Sequence, residues 1–83
     1  MERAVALEAF RDAFARQLDV APERIVEDAR LKQDLDADSL DVVEVLMLLE
    51  DRFNVLMPAE DLEGATTVGD VVTSVLEMMA SQA

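Results

Sequence analysis

The sequence contains no cysteine and no histidine. Lacking cysteine, the chain can form no disulfide, no thiolate–metal site and no cysteine nucleophile. Lacking histidine, it has neither the commonest general base nor the commonest ligand of transition metals. An enzyme without cysteine and histidine would have to work with carboxylates, hydroxyls and arginines alone. We expect no catalytic residue in this chain. The two absences favour a binding or carrier role.

Long apolar runs are also absent. No stretch approaches the ~20 apolar residues that span a bilayer, and no basic segment followed by an apolar one opens the chain. The 83 residues are nevertheless 52% hydrophobic, which is too much for a disordered chain despite a formal net charge of −12. We therefore expect one small domain over residues 1–83, monomeric and cytoplasmic, with no membrane insertion.

Basic residues are scarce in the second half of the chain. Residues 33–83 hold twelve acids against Arg52 alone, whereas residues 1–32 hold six basic and seven acidic side chains. Ten of the twelve acids fall between Asp34 and Glu63. Such concentrated negative charge repels nucleic acid and steers basic protein surfaces toward itself. We expect protein partners with basic patches and no nucleic acid; an acidic face that merely aids solubility is the alternative.

Apolar periodicity predicts a first helix over Arg3–Leu18. The residues that recur there at helical spacing are Leu7, Phe10, Phe14 and Leu18. Pro22 cannot continue a helix. The connection over residues 19–38 shows no sustained period, so we expect a long loop pinned to the core by scattered apolar side chains, with one helical turn over residues 22–25.

A second helix is predicted over Ser39–Phe53. Asp38 is a good N-cap, Asp41 completes a capping box, and Asn54 is a suitable left-handed end. A short helical turn over Ala59–Leu62 and a last helix after the N-cap residue Thr67, with Asp70 three positions on, complete the chain. The predicted fold class is all-α: a small four-helix bundle of three main helices and one short helix, with a long first loop.

The second helix has two stripes at helical spacing. One is expected to face the core: Val42, Leu46, Leu49 and Phe53. The other mixes apolar and acidic residues and is flanked by Asp41 and Leu48: Leu40, Glu44, Met47 and Asp51. A helix buried on both sides would explain the apolar members, but unpaired carboxylates are costly to bury. We favour an exposed stripe whose acids steer a partner and whose apolar residues anchor it.

Ser39 begins the second helix. A phosphate attached there would meet backbone N–H groups and the positive end of the helix dipole. On spacing alone, an unmodified serine in a first helical turn is the commoner case.

Three acids before Ser39 suggest a cation site. Asp34, Asp36 and Asp38 match the first, third and fifth positions of an EF-hand loop, but the chain has serine at the sixth position and Val45 at the twelfth, where Gly and Glu are required. We therefore predict no dedicated metal site and only weak divalent binding at these three acids. Acid–base catalysis by them together with Asp41 is disfavoured, because no deep core is available to raise a carboxyl pKa.

Residues 31–44, LKQDLDADSLDVVE, resemble the signature of acyl carrier proteins, in which Asp-Ser-Leu is followed by an acidic recognition helix. The resemblance continues through Phe53, Pro58, Glu60-Asp61 and the TTVGDV of residues 66–71, and covers nearly the whole chain in order. It implies the four-helix fold of that family, over one acyl carrier domain without catalytic activity.

The resemblance also implies a prosthetic group. Ser39, between Asp38 and Leu40, would carry 4′-phosphopantetheine from coenzyme A through a phosphodiester, and the terminal thiol of this arm would hold an acyl group as a thioester. Partner enzymes would bind at the positions that match the family's docking helix: Asp41, Glu44, Met47, Glu50 and Asp51. The partners implied are phosphopantetheinyl transferase, ketosynthase, malonyl/acyl transferase, reductase and dehydratase.

Four positions depart from the family pattern. Asp36 stands where the family often has Gly, Gly64 and Ala65 where a basic residue and a large aliphatic are common, and Ser74 where an aromatic is frequent. These four residues concern the shape of the acyl pocket and the pathway that the carrier would serve. Fatty-acid biosynthesis is the first hypothesis and a polyketide or other secondary-metabolite pathway the second. The hypothesis of another class is an acidic helical adaptor or calcium-binding module without a prosthetic group.

Overall fold

The computed structural model describes residues 2–62 and 64–82. These residues form three α-helices and two short 3₁₀ helices, in the order α1 (Arg3–Leu18), a 3₁₀ turn (Pro22–Arg24), α2 (Ser39–Phe53), a second 3₁₀ turn (Ala59–Leu62) and α3 (Val68–Ser81). Within the described ranges the only β-type pairing is one isolated bridge between Arg30 and Thr67. The predicted all-α fold is confirmed, with a 3₁₀ turn as its short helix. Glu63, one of the ten clustered acids, lies outside the described residues.

Side-chain caps fix where α2 and α3 begin. The Asp38 carboxylate accepts a hydrogen bond from the Asp41 backbone N–H at 2.9 Å, and the Asp41 carboxylate accepts one from the Asp38 N–H at 3.1 Å. Thr67 and Asp70 form the same reciprocal pair at the start of α3. Asn54 ends α2 in the left-handed conformation, with φ of 56°. Each of these caps was predicted, because capping depends on residues only a few positions apart.

The three helices are not packed equally against one another. α1 packs against both α2 and α3, whereas no Cα atoms of α2 and α3 approach within 8 Å across the described chain. Phe10 and Phe14 of α1 stack in the core with their ring centroids 5.1 Å apart. A cleft opens between α2 and α3. The side chains of α2 that face this cleft are less buried than those that face α1.

The buried face of α2 differs from the predicted one. Leu46 and Leu49 are buried as expected, but Val45 is fully buried while Val42 and Phe53 are only half-buried. α2 packs closely on α1 and has no such close approach to α3, so its buried face is centred on the side that includes Val45 rather than Val42. Val42 therefore lines the cleft.

The long first loop is held by buried apolar side chains and by backbone hydrogen bonds to the region before α3. Of the scattered apolar residues expected to pin the loop, Ile25, Leu31 and Leu35 are buried, whereas Val26 is exposed. The Leu31 N–H donates to the Thr66 carbonyl at 2.9 Å, and the Gly69 N–H donates to the Glu27 carbonyl at 2.8 Å. The loop is consequently a fixed wall of the domain.

Basic residues of the first half hold this loop in place. Arg3 lies 2.6 Å from the Glu27 carboxylate, Arg24 donates to the Asp34 carbonyl at 2.7 Å, and the Arg30 guanidinium lies 3.3 Å from the Asp34 carboxylate. Three of the six basic residues of residues 1–32 therefore serve to hold the loop, and Asp34 is the acid of the second half that they contact. In the described part of the chain, no helix is both long and apolar enough to cross a membrane.

Candidate functional site

Ser39 is the first residue of α2 and its side chain is exposed. The reciprocal cap between Asp38 and Asp41 fixes the backbone on both sides of it. Its hydroxyl therefore projects from a rigid position that another protein can reach, which is what covalent modification of a serine requires.

A cleft of about 460 Å³ opens beside Ser39, between α2, α3 and the long loop. Most of its wall is apolar: Leu31, Ala37, Val42, Val43, Ala59, Leu62, Ala65 and Val71. The polar lining residues are Lys32, Gln33, Asp38, Ser39 and Thr66. An apolar chain anchored at the serine could enter this cleft and leave water.

Of the residues that line the cleft, the sequence had linked only Asp38, Ser39 and Ala65 to the attachment site or the acyl pocket, and it missed the others, Val43 and Ala59 among them. Val43 lies four residues after Ser39 and so shares its helix face, a spacing that could have identified it. Ala59 comes from the 3₁₀ turn after α2. No local sequence signal relates that turn to Ser39, because the two meet only through the tertiary fold.

The second stripe of α2 places its apolar residues on the surface. Leu40 and Met47 are 62% and 58% exposed, and the flanking Leu48 is 44% exposed. Asp51 is exposed as well. This arrangement agrees with a partner-facing stripe rather than with a helix buried on both sides.

Three of the acids assigned to partner binding also have contacts within the domain. Glu44 is half-buried and its carboxylate accepts a hydrogen bond from the side-chain amide of Gln17 on α1. The Glu50 carboxylate accepts a hydrogen bond from the Met57 backbone N–H at 2.7 Å. Asp41 belongs to the cap of α2. Their negative charge contributes to the surface potential, but their side chains are less available for direct contacts than that of Asp51.

The acids before α2 do not converge on one point. The Asp34 carboxylate accepts hydrogen bonds from the side chain and backbone of Arg30, which hold the pKa of Asp34 below its ordinary value. Asp38 caps α2. Across residues 2–62 and 64–82, no three acidic side chains lie close enough together to hold a metal ion. Weak divalent binding here remains a prediction that rests on charge density.

Asp36 adopts the left-handed backbone conformation, with φ of 54°. Its N–H donates to the Lys32 carbonyl at 3.1 Å and closes a turn. Glycine takes this conformation at little cost, whereas a side chain with a β-carbon is strained. The departure from glycine at Asp36 therefore affects the backbone as well as the charge.

Comparisons with known proteins agree with this geometry. Residues 8–75 match the family model described as the phosphopantetheine attachment site. An acyl carrier protein of Wolinella succinogenes is 48% identical over 62 residues, which cover 75% of this chain and 82% of the relative. One of Thermosynechococcus vestitus is 41% identical over 81 residues, which cover 98% of this chain and all of the relative.

The fold is similar to a solved one. The structure of the acyl carrier protein from Enterococcus faecalis, a protein described as highly thermally stable, superposes with a TM-score of 0.69 at 29% identity, over 94% of this chain and 99% of that one. The family match over most of the sequence, two relatives more than 40% identical, one of them aligned nearly from end to end, and the shared fold lead to one conclusion. This chain belongs to the acyl carrier proteins, which are carriers rather than enzymes and work through a covalently attached phosphopantetheine.

Proposed function

We propose that this protein carries growing acyl chains for fatty-acid biosynthesis on a phosphopantetheine arm attached to Ser39. The observation that carries the proposal is the position of that serine: its exposed side chain stands at the fixed start of α2 and lines an apolar cleft. When bound, the arm supplies a thiol that holds the acyl group as a thioester. Asp38 and Leu40 flank the attachment point, Asp38 by capping the helix and Leu40 as an exposed apolar contact for a partner.

The cleft supports a role in sheltering an apolar cargo. Its lining includes the buried side chains of Leu31, Leu62 and Val71. Each methylene group that moves from water into such a lining gains about 0.8 kcal/mol. A cargo chain that occupies the cleft is thereby withdrawn from solvent until a partner enzyme takes it.

The exposed stripe of α2 supports docking of partner enzymes. Leu40, Met47 and Leu48 offer apolar anchors, and the surrounding acids attract basic patches. The partners in this proposal are a phosphopantetheinyl transferase, ketosynthase, malonyl/acyl transferase, reductase and dehydratase. A monomeric state, a single carrier domain and a cytoplasmic location are parts of the same proposal.

Intact mass tests the attachment site directly. The purified apo-protein is incubated with a phosphopantetheinyl transferase and coenzyme A, alongside Ser39→Ala and the control Ser81→Ala. We expect the mass of one phosphopantetheine on the wild type and on the control, and none on Ser39→Ala. Loading of Ser39→Ala would overturn the assignment of the serine, and failure of the wild type to load with several transferases would favour the adaptor hypothesis.

A polyketide pathway is the second candidate, favoured by one observation. Ala65 lines the cleft, and alanine is smaller than the large aliphatic residue that is common at this position in the family, which leaves space for a bulkier, substituted acyl chain. Loaded protein offered to ketosynthases of both pathways distinguishes the candidates. Faster elongation by the fatty-acid enzyme supports the first proposal, whereas faster elongation by the polyketide enzyme supports the second.

A further inference from the structure

Lys32 is the only lysine in the chain, and it lines the same cleft as Ser39. We propose that the Lys32 ammonium pairs with the phosphodiester formed at Ser39 and so sets the direction in which the arm leaves the protein. Lys32 is thus a positioning residue, which acts on the arm rather than on the cargo. The inference rests on the proposed attachment of the arm to Ser39.

The surroundings of Ser39 are unfavourable for a phosphate without a cation nearby. Asp36, Asp38 and Asp41 all lie within three residues of it. The Asp38 carboxylate already accepts a hydrogen bond from the Asp41 N–H, so this backbone donor in the first turn of α2 is not free to bind a phosphate. The same carboxylate places a negative charge next to the serine. A phosphodiester adds a further negative charge, and like charges at this spacing repel. Among the described residues that line the cleft, Lys32 alone is basic.

The Lys32 side chain is available for this role. Arg24 and Arg30, the other cations of the adjoining loop, contact Asp34. None of the ion pairs or side-chain hydrogen bonds within residues 2–62 and 64–82 involves the Lys32 ammonium. The residue is exposed, so its ammonium can turn toward a charge that appears at Ser39 without breaking a contact.

The backbone that carries Lys32 is held firmly relative to Ser39. Leu31 is buried, its N–H donates to the Thr66 carbonyl at 2.9 Å, and its own carbonyl accepts from the Ala37 N–H at 2.8 Å. The Asp36 N–H donates to the Lys32 carbonyl at 3.1 Å. This closed turn ends two residues before Ser39, so the lysine stem starts from a fixed point and only its side-chain rotations have to be restricted on pairing.

Melting temperatures of apo- and holo-protein test the pairing. We compare the change on loading for the wild type, Lys32→Gln, Lys32→Arg and the control Arg52→Gln, after intact mass has confirmed that each is loaded. Arg52→Gln removes the same charge about 20 Å along α2 from Ser39. Comparing apo with holo forms cancels the effect of each substitution on the apo fold.

We expect the melting temperature of Lys32→Gln to respond less favourably to loading than that of the wild type. At low salt the holo-minus-apo difference should be lower by about 2–4 °C. Lys32→Arg and Arg52→Gln should match the wild type, and the difference should shrink at high salt, because salt screens exposed charges. An equal change on loading in Lys32→Gln and the wild type would overturn the inference and leave the attachment to Ser39 standing.

A spectroscopic measurement follows Lys32 itself. Because the chain has one lysine, protein labelled with ¹³C at lysine Cε gives one lysine signal. We expect this signal to move when the wild type is loaded, to return toward its apo position in high salt, and to stay in place when Ser39→Ala is treated identically. A signal that does not move in a protein shown by mass to be loaded contradicts the pairing. A protein that never loads refutes both the proposed function and this inference.

Discussion

The Arg3 guanidinium and the Glu27 carboxylate approach to 2.6 Å and join the start of α1 to the long loop. Arg3 also donates to the Thr73 hydroxyl at 2.9 Å and to the Gly69 carbonyl at 3.0 Å, both in α3. One side chain thus connects three parts of the chain that are far apart in sequence. The hydrogen bond from Arg3 holds the pKa of Glu27 below its ordinary value.

Removing this connection should destabilise the domain. We expect Arg3→Gln to lower the melting temperature by a few degrees and Glu27→Gln to lower it less, because the Arg3 bonds to α3 survive the second change. The double variant should lose less than the sum of the two single losses, since the two residues interact. Thermal melting of all four proteins measures the coupling; strictly additive losses would show that the pair contributes nothing.

Acid should weaken the domain through Asp70. Its carboxylate accepts hydrogen bonds from the Thr66 N–H at 2.9 Å and the Thr67 N–H at 3.1 Å, and these bonds, with one from the Thr66 hydroxyl, lower its pKa. A lowered folded-state pKa gives stability that is complete above the unfolded value of about 4 and is lost as the pH falls through the folded value.

The test is a series of melting curves between about pH 2 and pH 7. We expect Asp70→Asn to be less stable than the wild type at neutral pH, with the gap closing below about pH 4. The control is Glu77→Gln, an exposed acid on the same helix whose replacement should leave the neutral-pH stability nearly unchanged. A gap between Asp70→Asn and the wild type that stays constant with pH would contradict the assignment.

Asp36 is a site where substitution should stabilise the protein. Asp36→Gly relieves the left-handed strain and removes one of the clustered negative charges, so we expect a gain of about 1 kcal/mol in the free energy of unfolding. Asp36→Ala removes the charge but keeps the β-carbon, and separates the two causes. In high salt the glycine variant should keep most of its gain, whereas the alanine variant should not exceed the wild type. Chemical denaturation at two salt concentrations measures both.

Partner association should depend on Asp51 and Met47 in different ways. Asp51 is exposed, whereas Glu44 is bonded to Gln17, so Asp51→Lys changes the surface charge without disturbing the α1–α2 contact. We expect Asp51→Lys to slow association with the transferase several-fold at low salt and less at high salt. Met47→Ala should weaken binding with little salt dependence. Association and dissociation rates measured at several salt concentrations check both expectations.

The local features of the fold were predictable from sequence, and the relations between distant residues were not. The caps at Asp38 and Thr67 depend on neighbours three positions away, and apolar periodicity located each helix. The choice of Val45 over Val42 for the core depends on how α2 meets α1 and on the gap it leaves to α3, which no pattern within α2 records.

The candidate site divides in the same way. The motif around Ser39 is continuous in sequence, so the serine and its flanking residues could be read directly. The opposite side of the cleft comes from Ala59, Leu62 and Val71, which reach Ser39 only after folding. The roles of Glu44 and Glu50 within the domain were also hidden, because their partners Gln17 and Met57 lie on other segments.

The separation of α2 from α3 has a consequence for cargo of different sizes. Both helices are held by α1, and across the described chain no close backbone approach ties one to the other. The 3₁₀ turn over Ala59–Leu62 contacts both helices, so a chain that enters the cleft should displace this turn more readily than it displaces α1 from either helix. We therefore expect acyl chains of different lengths to be accommodated mainly by adjustment of the segment after α2, which carries the 3₁₀ turn over Ala59–Leu62.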